Sequence, residues 1–262
     1  MMDFLKVFDA YSLRARLFPA IIAAAPAFAA LALLISWKSF ELSNAIATIA
    51  VLVLLFAIAD FARSRGRAIE PILYAEQGGM PTITMFRRND PTIDDGTKER
   101  YREFLGNKLS VTVPSAEAEQ ADQATSDSFY EQCGVWLRQN TRDTKKFPLL
   151  FHENLTYGFR RNLFGVKWFA LALNLVVITI CLLLLRQDSW SWETDLGKRI
   201  TVVLLVAAIH ATYIFFVVRK TAVFDASRMY ARELILSCEA FLSATASVKR
   251  GSRSSKSSTD KT

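Results

Sequence analysis

At 262 residues, with 52% hydrophobic and 22% charged side chains and a net charge of +7 at neutral pH, the chain is too apolar for an ordinary soluble domain. Its apolar residues are clustered, so the average conceals two materials: long uncharged runs, and polar stretches between them. Three isolated cysteines, Cys133, Cys181 and Cys238, have no C-x-x-C spacing and no accompanying histidine, which suggests neither a zinc site nor a disulfide framework.

Residues 1–16 place Phe4, Leu5, Val7, Phe8, Tyr11 and Leu13 among Lys6, Arg14 and Arg16, a pattern expected of an interfacial helix. Leu17 to Trp37 and Asn44 to Ala62 follow as two spanning candidates, the first transmembrane hairpin (17–62). A secretory signal is weighed here because Ala27-Phe28-Ala29 offers a small-residue triplet, but the run exceeds the usual signal core of about 7–15 residues. Pro26 lies inside this first run and should kink it unless a neighbour satisfies the freed carbonyl. Asp60, near the end of the second run, is expected to pair locally with Arg63 and Arg67.

The polar insert, 63–166, opens as a continuation of the second helix until Gly78-Gly79 stops it. MPTITMFRR alternates enough to be expected as a strand, and Tyr101, Phe104 and Leu105 recur at helical spacing. After Val113-Pro114 a helix is expected to about Asp143, with Phe129, Cys133, Trp136 and Leu137 on one stripe. Phe147 to Trp168 is expected as a helix along or beneath the membrane surface that turns in at Gly165.

The second hairpin, 167–219, carries two uncharged runs, 168–185 and 200–218, around a Trp-rich polar turn. Asn174 and His210 lie inside them at matching depth, so a hydrogen bond between amide and imidazole is expected. The alternative gives His210 a proton-relay or pore-lining role assisted by Thr179, Thr212 or Tyr213. Beyond it, Val223, Tyr230, Ala231, Leu234, Cys238 and Phe241 share one face of an amphipathic helix (220–247) that should pack beneath the spans or lie on the inner leaflet. The basic, Ser-rich tail 248–262 is expected to be disordered.

Basic clusters flank the spans on one side: Arg14 and Arg16; Arg63, Arg65 and Arg67; Arg160, Arg161 and Lys167; Arg219 and Lys220. They imply both termini and the insert in the cytoplasm of a cell whose inner membrane holds the spans, with anionic lipid headgroups as partners. Nucleic acid is not expected, because these charges are not interleaved with stacking aromatics. No phosphate-cradling, hydrolase or calcium-loop motif is found, and no cofactor or metal is expected. A Cys133/His152 nucleophile pair is conceivable, but Cys133 falls on an apolar stripe.

The phrase FPLLFHENLTYGFRRNLFGVKW, with WLRQNTRDTKKF before it, resembles a group of bacterial membrane proteins across about residues 80–170, a resemblance that carries no activity. The two-plus-two layout is similar to that of small membrane effectors in prokaryotic defence systems, in architecture only. The expected fold is therefore an all-α integral membrane protein, two transmembrane helical hairpins flanking a mainly helical cytosolic insert. The expected function is that of a non-enzymatic, homo-oligomeric sensor or effector whose insert answers a ligand or protein and whose spans form a pore. The small residues from Ala23 to Ala30 are expected to serve self-association. The rival is a subunit of an ion- or proton-coupled transporter using His210.

Overall fold

The computed structural model describes residues 12–34 and 44–244. Among them every regular element is helical. A π-helical turn, Ser12–Leu17, leads into α1 (Phe18–Leu34), followed by α2 (Asn44–Glu76), the short α3 (Pro81–Thr84), α4 (Asp95–Leu109), α5 (Ala116–Ala121), α6 (Gln123–Asn140), α7 (Pro148–Gly165), α8 (Lys167–Gln187), α9 (Asp195–Thr212) and α10 (Lys220–Leu236). Most of the interfacial helix expected over 1–16, the turn after Trp37 and the basic tail lie outside the described residues.

The described residues fall into two compact units, one running up to Leu73 and resuming over Leu155–Phe224, the other made of Tyr74–Asn154 and the residues from Asp225 on. The second unit thus draws on both the stretch expected as an insert and the helix expected separately at 220–247.

In the first unit, three helices are long and apolar enough to cross a membrane: Arg14–Leu34, Lys167–Gln187 and Asp195–Val217. α1, α8 and α9 pack mutually. The contact faces recur every three or four residues, Ala170, Asn174, Val177, Cys181 and Leu185 on α8 and Ile200, Val203, Ala207 and His210 on α9, as one stripe of a straight helix requires. On α1 the buried side chains are small, with Ala20, Ala23 and Ala24 letting the backbones approach. The alanines expected to serve self-association are thus partly spent inside the chain, since Ala27 and Ala30 also pack against the α8–α9 core.

Among the described residues, the other helix expected to span, α2, meets this bundle near its middle. Ile58, Phe61 and Ala62 line an apolar cleft with Ala23, Val166 and Ala170, whereas Ile49 and Phe56 stand 61% and 69% exposed. α1 packs chiefly against α8 and α9. Farther along, Gly66 and Gly165 mark where α2 and α7 cross: a Cβ on Gly165 would sit 2.6 Å from the Gly66 nitrogen, and one on Gly66 would sit 2.9 Å from the Asn162 Cα. Gly165 ends α7 where the turn was expected, and the stronger demand on it is this backbone contact.

The second unit is built around Phe86, Leu105, Tyr130, Cys133 and Leu137, with Ala231, Leu234, Ile235 and Cys238 entering from α10 and the residues after it. The amphipathic stripe therefore faces a protein core rather than the inner leaflet. Phe147 and Leu150, at the start of α7, belong to the same core, so that end of α7 is not a free surface helix. Helix ends follow local chemistry: Asp94 and Asp122 accept the amides of Thr97 and Thr125 as N-caps, the latter dividing the single helix expected here into α5 and α6. Gly78 and Gly79, both at positive φ, end α2 as expected.

One expectation fails outright: the alternating stretch MPTITMFRR is a helical turn, not a strand. Pro81 occupies the first helical position, where its missing N–H costs nothing, and Ile83 and Thr84 donate to the Met80 carbonyl at 2.8 and 3.0 Å. Alternation had no partner strand to satisfy, and local hydrogen bonds won.

Candidate functional site

The polar groups enclosed by the apolar helices form the strongest candidate. Asn174 is 2% and His210 6% exposed, both facing the α1–α8–α9 interface. The expected hydrogen bond between them is not made. Asn174 instead donates through Nδ2 to the Ala207 carbonyl at 2.9 Å, one turn before His210, and its Oδ1 has no partner among the described residues. A carbonyl one turn away on the same stripe competes with the imidazole for the amide, and the carbonyl is held in place while the imidazole must be oriented.

His210 turns toward α1. Its ring lies against the backbone carbonyl of Ile22, though neither ring nitrogen completes a hydrogen bond among the described residues. Ile22 is the residue four before Pro26, and a proline has no N–H to give that carbonyl. α9 thus presents a potential donor where α1 has lost one, and Asn174 ties α8 to α9 at the same level. The arrangement joins three helices through polar groups in an apolar interior, where an unsatisfied carbonyl costs several kcal/mol.

The residues expected to assist His210 lie elsewhere. Thr179 and Thr212 are exposed and donate to the carbonyls four residues back in their own helices, Leu175 and Ala208, at 2.9 and 2.8 Å. Tyr213 begins a π-helical turn, Tyr213–Val217, and borders a cleft at the end of α9. Asp60 is exposed, and among the described residues it forms no ion pair with Arg63 or Arg67. A solvated pair gains too little to hold two side chains together, so the local pairing expected there is not formed.

The basic residues divide into two kinds. Arg65 (set over the Phe169 ring at 5.2 Å), Arg67, Arg160, Arg219 and Lys220 are exposed. Arg161, expected at the headgroups, instead points inward, 9% exposed, with NH1 donating to Glu70 at 2.8 Å. Glu70 also accepts from the Tyr157 hydroxyl at 2.5 Å, and Asn162 donates to the Ala15 carbonyl at 2.7 Å. These bonds join α2, α7 and the turn before α1 beside the Gly66–Gly165 crossing.

No family model, curated protein or solved structure matches this chain.

In the second unit the Cys133/His152 pair does not form a nucleophile. Cys133 is fully buried in the apolar core and burial pushes its thiol up to about 12, whereas His152 is exposed. The charges helical spacing did not single out are Lys98 and Arg102, both buried. Lys98 donates to the Arg87 and Asp90 carbonyls at 2.9 and 2.6 Å and pairs with Asp95; Arg102 grips the Phe86 carbonyl at 2.7 Å and Glu99 at 2.6 Å. Arg87 faces Asp127 through two bonds, and Tyr130 donates to Glu119 at 2.5 Å. Every one of these charges has a partner, so the network fixes the 86–90 turn rather than offering a vacant site. Three or more His, Cys, Asp or Glu side chains that could hold a metal ion do not come together among the described residues.

Proposed function

We propose that this chain is a non-enzymatic, multi-pass inner-membrane protein of four spans with the second unit and both ends in the cytoplasm. It self-associates, its cytosolic unit answers a ligand or protein partner, and the assembled spans respond by opening a pore. The observation that carries this reading is the contrast between the two sides of the apolar helices. Cys181, Leu185, Ile200, Val203 and Ala207 are fully enclosed, while Leu175, Leu205 and Ile209 on the opposite faces are 60% exposed or more. Such outward apolar surface suits a bilayer. A bundle filled by its own side chains leaves no pathway within one copy, so conduction requires several. The same outward surface on α2, from Ile49 to Phe56, supports counting it as the fourth span.

Single cysteines placed at exposed positions between 90 and 150 should resist an impermeant thiol reagent added outside intact cells and react after permeabilisation. Crosslinking in native membranes should give discrete multimers, and overexpression should release a small dye while solute uptake stays normal. Labelling from outside would overturn the topology, and a monomer with intact dye retention would overturn the effector.

A second reading rests on His210, a buried imidazole with neither nitrogen in a completed hydrogen bond. In an ion- or proton-coupled transporter subunit it would carry the proton. Substrate-dependent pH change in proteoliposomes, abolished by His210→Asn, would establish that reading over the first.

A further inference from the structure

A cleft of about 210 Å³ opens between the last turns of α7 and the end of α9. Its walls are apolar, Phe159 and Leu163 on one side and Tyr213 and Val217 on the other, and its rim carries Arg160 and Arg219. No carboxylate lines it. The cleft exists because α9 ends in the π-helical turn Tyr213–Val217, which widens the helix and splays its last carbonyls. Lys167 takes two of those carbonyls, Phe215 at 3.1 Å and Val218 at 2.8 Å, which brings a third cation to the same helix end.

Arg160 is held by one bond, NH1 to the Ala222 carbonyl at 3.0 Å, and a guanidinium has five N–H donors, so the others are left for a ligand. Arg219 is exposed and makes no hydrogen bond or ion pair among the described residues. Cations gathered without a carboxylate repel one another until an anion joins them. The volume falls below the range of about 300–1,000 Å³ usual for a whole small molecule, and fits a head and the start of a chain. The place is where two apolar helices, Lys167–Gln187 and Asp195–Val217, begin and end.

We propose that this cleft binds the phosphate head of an anionic membrane phospholipid, with Arg160 and Arg219 on the phosphate and the Tyr213–Val217 wall along the first acyl carbons. The site rests on the reading of these helices as membrane spans. Its partner is phosphate on a lipid, and free phosphate is the other source of the same chemistry.

The test uses the full chain in detergent micelles, with lipid retention read by native mass spectrometry against phosphatidylglycerol, phosphatidylcholine and inorganic phosphate. Phosphatidylglycerol should be retained over phosphatidylcholine, and millimolar phosphate should not displace it. Arg219→Gln, which breaks no internal bond, should weaken phosphatidylglycerol retention about five-fold, and the Arg160→Gln/Arg219→Gln pair about twenty-five-fold, taking the worth of each cation at a membrane surface. Arg186→Gln, on the opposite end of α8, should retain lipid as the wild type does. Equal retention of both lipids, displacement by phosphate, or an Arg186→Gln loss matching that of Arg219→Gln overturns the site. Failure of the chain to stay with membranes after alkaline extraction overturns the spanning reading and the site with it. Alkali-resistant insertion with unchanged retention in Arg219→Gln removes the site alone.

Discussion

Pro26 and His210 bear on the same carbonyl: the proline deprives Ile22 of its helical amide, and the imidazole of α9 lies near its oxygen. A kink-forming residue in α1 and a polar residue in α9 therefore compensate one another, and neither is fully explained alone. The arrangement also accounts for Asn174 bonding Ala207 in preference to His210, since the ring is turned toward α1.

The compensation predicts non-additive mutants. His210→Leu should destabilise the chain in micelles by about 1 kcal/mol or more, the scale of a polar interhelical contact. In a Pro26→Ala background, where residue 26 again has an N–H for Ile22, the same change should cost measurably less. His210→Asn, which keeps a donor, should fall between. Reversible unfolding of the four combinations gives the coupling energy, and strict additivity would show that His210 and the proline are unrelated.

A different kind of fit holds α2 against α7. Gly165→Ala would bring a Cβ to 2.6 Å from the Gly66 nitrogen and 2.8 Å from the Arg65 carbonyl carbon, backbone atoms that cannot rotate aside. Alanine favours helix by up to about 1 kcal/mol over glycine, so a neutral site would gain stability. Here the expected outcome is a loss, with a lower melting temperature in micelles and a weakened Arg161–Glu70 pair. A variant at least as stable as the wild type would mean that the crossing is looser than drawn.

The helical class and the positions of the long apolar helices were legible because charge-free length is a strong signal. Their inward faces were not. Ala170, Val177 and Leu185 face protein, and Leu175 and Leu183 face outward, but all are apolar, so periodicity gave no contrast on which to choose a side. The stripe of α10 and the residues after it shows the converse: Leu234 and Cys238 shared an apolar face, which was readable although its partner was not. Lys98 and Arg102 escaped notice for a third reason, because their partners are backbone carbonyls of residues 86–90, invisible until the turn is built. Asn174 and His210 were singled out correctly as buried polar residues, but their competing acceptors, again backbone carbonyls, could not be weighed from side-chain identity.

Leu234 supplies a direct measure of where the C-terminal stripe lies. It is fully buried with Ile235 and Cys238 in the core that holds Leu105 and Cys133. Leu234→Ala should destabilise the second unit by about 2–5 kcal/mol, the range for emptying a core leucine site, seen as a lower denaturation midpoint of the full chain. Membrane retention of the full chain should be unchanged. Loss of retention without loss of stability would return the stripe to the inner leaflet.

Alkaline pH should unfold the second unit, and its two enclosed tyrosines should ionise only as it opens. Burial, reinforced by the acceptors Glu239 and Glu119, pushes the Tyr101 and Tyr130 phenols up to about 12, and burial alone pushes the Cys133 thiol up to about 12. A group whose acidity is weaker folded than unfolded contributes stability that is complete below its unfolded value, about 10 for a phenol, and is lost as pH rises through the folded value. Stability of the second unit should therefore begin to fall above about pH 8.5, where the unfolded thiol ionises, and fall most between about pH 10 and 12. Of the seven tyrosines, two should give tyrosinate absorbance only as the core opens. Tyr130→Phe should start from lower stability, having lost its bond to Glu119, yet fall less steeply across this window, because one ionisation that drives opening is gone. Tyrosinate absorbance followed alongside circular dichroism separates the outcomes. Should all the tyrosines ionise near pH 10 while helicity persists, the two phenols are not enclosed as described.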